Sequence, residues 1–265
     1  MVAALLLILF AGPACGSSSN QKPPANKNAA RPRITVAPSA ANGDTVARPP
    51  GGERAAAGFV LNSPTPAATC GPGDLLRQVT KDAALPADYV PPDLVMLQPI
   101  DASPNLTGTL MLRREAEQAI HRLLGQARAN NLSIVVQSSY RGYQDQAKVY
   151  QSEVQNFGQA QADRESARPG HSEHQLGLAV DFSSKRLNYD LNDSFAATPE
   201  GKWLQHNATQ VGFVQSYPEG QEPVTGYMYE PWHYRYIGVE AAQAFAKSGQ
   251  TLTEWLSGRQ LGCHA

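Results

Sequence analysis

Between Gly16 and Thr69 the chain is built of Pro, Ala, Asn, Ser and Gly, with almost no aliphatic periodicity. Such a stretch cannot bury enough apolar surface to offset the entropy of ordering it. Residues 16–69 therefore read as a disordered Pro/Ala-rich linker, and any packed core is confined to residues 70–265. The segment before the linker opens on MVAALLLILF, Met1–Phe10. This apolar run has the length of a signal-peptide core and is too short to span a bilayer. AGPACGSSSN follows, so residues 1–15 read as a signal peptide with Cys15 as a lipidation site; an ordinary cleaved signal is the alternative. Either way the protein is expected to be exported. As a lipoprotein it would sit at the outer face of the cell membrane or in the periplasm, held by an N-terminal lipid anchor; otherwise it would be secreted.

The linker carries Lys22, Lys27, Arg31, Arg33, Arg48 and Arg54 against Asp44 and Glu53, a net charge of +4. The whole chain carries −1, which leaves −5 for residues 70–265. The basic linker could lie along an anionic surface but reads as a solvated tether, and no nucleic-acid partner is expected. The chain has three cysteines, Cys15, Cys70 and Cys263. If Cys15 carries lipid, Cys70 and Cys263 remain as a pair at the two edges of the folded part. In an oxidising compartment a disulfide clasping those ends is expected.

Within residues 70–265, apolar positions Ala116, Ala119, Ile120, Leu123, Leu124 and Ala127 recur at helical spacing and predict a helix over 113–130. LSIVVQSSY, Leu132–Tyr140, is β-branched and predicts a buried strand. A second helix is expected after Gly142, through QDQAKVYQSEVQNF. LGLAVDF alternates, with Leu178, Val180 and Phe182 on one face and Ala179 and Asp181 on the other. Thr198 and Pro199 open a helix running to about Val211. GFVQSY and the 227–237 region supply further strands. Two short helices end the chain, the second opened by the capping box Thr251-x-x-Glu254. Helices and strands alternate without a regular βαβ repeat. The expected fold class is α+β, a single domain with a small, largely antiparallel sheet flanked by helices and preceded by the tether.

PGHSEHQLGLAVD, Pro169–Asp181, places two of the six histidines beside two carboxylates. EPWH, further on, adds Glu230 and His233. A catalytic zinc takes three protein ligands and leaves one position for water. Two imidazoles and a carboxylate make such a set, which could be His174, Asp181 and His233. Gly177 lets the chain turn between His174 and the strand, and Asp181 projects from the face opposite the apolar residues. Pro231 interrupts strand geometry between Glu230 and His233, so Glu230 can stand just outside the strand as a general base. His171 could be a ligand, a supporting donor or a loop residue. His121 and His206 fall in predicted helices and His264 lies next to the C-terminus, so all three read as bystanders.

RPGHSEHQLGLAVDF and YEPWHYRYIG together resemble the VanY-type zinc D-alanyl-D-alanine carboxypeptidases, through their SxHxxGxAxD and ExWH motifs. SSYRGYQDQ, Ser138–Gln146, is similar to the family's SxYRSYxxQ segment, and ALPADYVPPDLVML, Ala84–Leu97, to its LPxDYxPxDLV opening. The likeness spans roughly residues 75–240. It implies one Zn2+ per chain on His174, Asp181 and His233, with Glu230 as catalytic base and Arg141 stabilising the oxyanion. Gln146, Ser172 and Trp232 fall at substrate-binding positions, and Glu173 is expected beside Ser172 along the approach. Gly142 stands where the family has serine, and Leu176 where threonine is common. The implied activity is removal of the C-terminal D-alanine from a peptidoglycan stem peptide; the protein is expected to be monomeric. The alternatives are L,D-carboxypeptidase, D,D-dipeptidase or wall endopeptidase activity at the same site, or a non-catalytic zinc-containing wall-binding lipoprotein.

Overall fold

A computed structural model describes residues 74–106 and 109–259. Cys15, Cys70, Cys263, His264, the signal segment and the linker lie outside the described residues.

The first two strands, β1 (Leu94–Met96) and β2 (Met111–Arg113), form a short antiparallel ribbon. Helix α1 (Arg114–Ala129) follows directly, and Ala116, Ala119, Ile120, Leu123, Leu124 and Ala127 are all buried along one side of it. That apolar stripe is what the 3.6-residue period requires of a helix laid on a sheet. Burying each of its Leu and Ile side chains contributes about 1.5–3 kcal/mol. Strand β3 (Ile134–Ser138) leads to α2 (Tyr143–Phe157) and α3 (Gln159–Glu165). Next come β4 (Ala179–Ser184), α4 (Pro199–Asn207) and β5 (Phe213–Gln215). The short α5 (Glu222–Thr225) and β6 (His233–Tyr236) precede the final helices, α6 (Val239–Ala246) and α7 (Leu252–Ser257).

The main sheet has the order β3-β4-β6-β5, and every pairing in it is antiparallel. Val136, Val180, Phe182, Phe213, Tyr234 and Tyr236 belong to the main core with the apolar stripe of α1 and Leu204 of α4. A second cluster joins Val214 to Ile237, Ala242, Leu252, Trp255 and Leu256. The alternation of β4 thus falls as the sequence predicts. The caps also form: Thr198 accepts from the Gly201 amide (2.9 Å), and Thr251 with Glu254 completes the capping box.

Three differences from the sequence reading have local causes. The helix predicted from Pro199 to Val211 tightens into a 3-10 turn at Ala208–Val211, where Gly212 takes φ +99° and ends it. The 227–237 region yields strand only from His233, because Pro231 holds the preceding residues in a turn closed by the His233 amide on the Glu230 carbonyl (3.2 Å). α3 carries too few apolar positions to announce itself, and the β1 and β2 strands, at three residues each, are too short for a period to show.

Candidate metal centre and active-site cleft

Two central strands bring the candidate ligands together. In the β4–β6 register Asp181 lies directly opposite His233, so their side chains leave the same face of the sheet. Ser138 of β3 pairs with Asp181 on its other side, after a shift in register that leaves Gln137 as an extra residue. A bulge of this kind re-aims neighbouring side chains. His174 reaches the same place from a 3-10 turn, Glu173–Leu176, capped by Ser172, whose hydroxyl accepts from the His174 amide (3.3 Å). Gly177 ends that turn in the left-handed region (φ +66°). A Cβ there would also stand 2.8 Å from Leu94 Cδ2, so the turn and its close packing both need glycine.

The hydrogen bonds select one nitrogen of His174 and set His233 between two carboxylates. His174 Nδ1 lies 2.7 Å from the Ser139 carbonyl, which can only accept, so Nε2 is left with its lone pair. That Nε2 is 3.3 Å from Asp181 Oδ2. His233 Nε2 lies 3.0 Å from Glu173 Oε2, and its Nδ1 lies 3.0 Å from Asp181 Oδ1. Donor atoms of His174, Asp181 and His233 all fall within 4.8 Å of one another, and all three residues are buried. Ligands at ~2.0–2.1 Å from a tetrahedral zinc stand about 3.3 Å apart, which the His174–Asp181 (3.3 Å) and His233–Asp181 (3.0 Å) separations match.

Burial lowers the His174 pKa, opposed by the charge of Asp181, and so favours the neutral ring a ligand needs. At His233 burial acts in the same direction. Hydrogen bonds to Asp181 and Glu173, with their charges, overcome it and push the pKa up to about 10 without metal. Asp181 is pulled well below the carboxylate range: burial opposes the shift, and the two histidines outweigh it.

Glu230 stands at the start of the turn before β6. Its amide donates to the Tyr217 carbonyl (3.0 Å), and its carbonyl accepts from Gln215 Nε2 (3.3 Å). Its carboxylate Oε2 lies 3.8 Å from His233 Nδ1. Arg141 follows β3; its amide donates to the His174 carbonyl (3.3 Å) and its Nε to Gln146 Oε1 (2.7 Å). Burial lowers the Arg141 pKa, countered by the charges of Asp181 and Glu230. Arg141, Ser172, His174, Asp181, Glu230, Trp232 and His233 all line one cleft of about 190 Å³.

Gln146 is fully buried, with its amide nitrogen on the Ala167 carbonyl (2.7 Å), and it is absent from the cleft wall. Glu173 departs from the expected approach as well, lying behind His233. A 3-10 turn rotates successive side chains by about 120°, so neighbours on it face different ways. His171 is no ligand in this arrangement: its Nδ1 bonds the Thr80 carbonyl (2.8 Å). His121 bonds Asp101 (2.7 Å) and His206 the Lys202 carbonyl (2.6 Å), as bystanders do. Tyr217 and Tyr227 also line the cleft, and sequence reasoning missed both. Tyr217 packs its ring 4.8 Å from that of His233, and burial pushes its phenol well above the ordinary range. No motif marks either tyrosine.

Comparison with known proteins agrees with this geometry. Residues 109–239 match the family described as VanY: D-alanyl-D-alanine carboxypeptidase. YodJ of Bacillus subtilis (strain 168), whose name gives it as a candidate carboxypeptidase, is 38% identical over 69% of this chain and 67% of its own. The solved structure of the LD-carboxypeptidase LdcB is 37% identical with a TM-score of 0.65, over 71% of this chain and 89% of that one. A mutant of the vancomycin-resistance D,D-pentapeptidase VanY, solved in complex with Zn(II), is 30% identical with a TM-score of 0.55, over 68% and 98%. The chain belongs to the VanY D-alanyl-D-alanine carboxypeptidase family.

Proposed function

We propose that the protein is a zinc carboxypeptidase that removes a C-terminal D-alanine from peptidoglycan stem peptides. The observation that carries this reading is the convergence of His174 Nε2, the Asp181 carboxylate and His233 Nδ1 in a cleft, with Glu230 3.8 Å from that Nδ1. A purely structural site requires no carboxylate beside its open position.

When bound, zinc lowers the pKa of a water toward ~7 and polarises a carbonyl oxygen. Glu230 takes the proton of the attacking water as its oxygen adds to the last peptide carbonyl. The same carboxyl then delivers that proton to the leaving amino group as the C–N bond breaks, which frees D-alanine. Arg141, a charge fixed at the cleft wall, stabilises the carbonyl oxygen as it becomes anionic. Gln146 holds Arg141 through Nε, and Ser172 and Trp232 face the substrate. The apolar run and Cys15 support an exported, lipid-anchored location, where such stems are found.

A second reading concerns which bond is cut. LdcB, an LD-carboxypeptidase, aligns with higher identity and TM-score than the D,D-pentapeptidase VanY. That ordering favours cleavage after an L-configured centre, on tetrapeptide stems. Mass spectrometry of synthetic penta- and tetrapeptide stems, with Glu230→Gln as control, separates the two. Loss of one D-alanine from the pentapeptide alone establishes the D,D cut, and loss from the tetrapeptide alone the L,D cut. An inert Glu230→Gln, its turnover lower by about 10²–10⁴, identifies the base. No cleavage of either stem by folded, zinc-loaded protein would sink the peptidase reading and favour a wall-binding protein.

A further inference from the structure

Behind His233, away from the cleft, lies a buried ion pair that the hydrolytic chemistry does not use. Glu173 is 5% exposed and Arg235 is 0% exposed. Glu173 Oε2 accepts from His233 Nε2 (3.0 Å) and from the Ser216 hydroxyl (2.6 Å), and Oε1 accepts from Arg235 Nη1 (3.2 Å). Arg235 Nη2 donates to the carbonyls of Leu75 (2.9 Å) and Arg77 (3.1 Å), and its Nε to that of Tyr236 (3.2 Å). Two residues apart on β6, His233 and Arg235 leave the same face of the strand and meet one carboxylate between them.

We propose that Glu173, braced by Arg235 and Ser216, is the positioning residue of the metal centre: it keeps the His233 proton on Nε2 and so presents Nδ1 to the ion. The proposal rests on His174, Asp181 and His233 being the ligands. His233 has a carboxylate 3.0 Å from each ring nitrogen, so its tautomer is decided by which carboxylate is fixed as an acceptor. Glu173 is so fixed, since its two oxygens already take donors from Ser216 and Arg235. The Asp181 carboxylate, by contrast, is itself a candidate ligand. A purely structural account explains the pair less well. Buried ion pairs lose much of their Coulombic gain to desolvation, and apolar side chains of similar volume often do as well. A carboxylate on the outer nitrogen of a ligand histidine orients the ring and raises its basicity, and losing it weakens metal binding about 10–100-fold.

The substitution Glu173→Gln tests the tautomer directly. An amide has one oxygen and one donor end, so it must turn an N–H toward either His233 or Arg235. Zinc affinity of the full chain is measured by chelator competition for wild type, Glu173→Gln and Ser216→Ala, with circular dichroism to establish folding. In parallel, long-range proton–nitrogen NMR on histidine-labelled, zinc-loaded wild type reads the His233 nitrogens. We expect Glu173→Gln to bind zinc about 10–100-fold more weakly. Ser216→Ala, which removes one neutral hydrogen bond and keeps the charge, should shift affinity by less than about fivefold. The spectrum should report a protonated Nε2 and a metal-bound Nδ1 on His233. Wild-type affinity in folded Glu173→Gln, or a His233 bound through Nε2, overturns the proposal. If Glu173→Gln does not fold, the NMR result alone decides. Neither readout needs turnover, so the peptidase reading and this one can fail separately.

Discussion

Each imidazole in the cleft has one nitrogen turned outward to an acceptor, the Ser139 carbonyl for His174 and Glu173 for His233. The arginine at the wall is held in a comparable way, since Gln146 accepts from Arg141 Nε and is anchored to the Ala167 carbonyl. Removing that amide frees the guanidinium to rotate without deleting it. Gln146→Ala should therefore lower kcat by about 10–100-fold, somewhat less than the ~10²–10³ expected for losing an oxyanion donor outright. Steady-state kinetics on a stem peptide would settle the point, with zinc affinity expected to stay at the wild-type value. An effect confined to KM would place Gln146 on the substrate instead. His174, Asp181, His233 and Glu230 were legible in the sequence because turn, strand alternation and proline each constrain where a side chain can point. Glu173, Tyr217 and Arg235 were not, since their roles depend on which residues the sheet register brings from elsewhere in the chain.

Among the elements, the turn between Glu173 and Ala179 must deliver His174 and Asp181 to one point, and Gly177 permits it. Gly177→Ala would combine an unfavourable φ with a Cβ pressed on Leu94, costing about 1–3 kcal/mol. Denaturant unfolding would show this as a lower midpoint; an unchanged midpoint would mean the turn relaxes freely. α2 and α3 are tied by Asp163, which accepts from Tyr150 (2.6 Å) and pairs with Arg168 (3.0 Å). The Arg168 hydrogen bond, followed by that of Tyr150, holds the Asp163 pKa below the usual carboxylate range. A depressed carboxylate stabilises above its unfolded value of ~3.9 and loses that contribution as pH falls through the folded value. Asp163→Asn should thus cost about 0.5–1 kcal/mol at neutral pH, modest because the pair is partly exposed. The difference from wild type should shrink below pH ~4 in acid titrations of stability. α1 was legible from its six apolar positions, whereas α3, QAQADRE, buries only Ala162 and offers no periodicity to read.

At the scale of the molecule, the sheet separates two tasks. One face of β4 and β6 carries Val180, Phe182, Tyr234 and Tyr236 into the core with α1, and the other carries Asp181 and His233 into the cleft. The apolar side chains of β4 and β6 pack against α1 on the sheet face opposite to Asp181 and His233, so the metal should be needed for catalysis more than for folding. The class of fold could be read from the mixture of helices and strands; the strand order β3-β4-β6-β5 could not, because three- to six-residue strands carry too little pattern to specify neighbours. The most direct measurement is zinc titration of chelator-stripped full-length protein, following release of D-alanine from a stem peptide and far-ultraviolet circular dichroism together. Activity should be absent without metal and rise linearly to one zinc per chain, with the dichroism essentially unchanged throughout. Undiminished release of D-alanine by the stripped, folded protein would contradict the account.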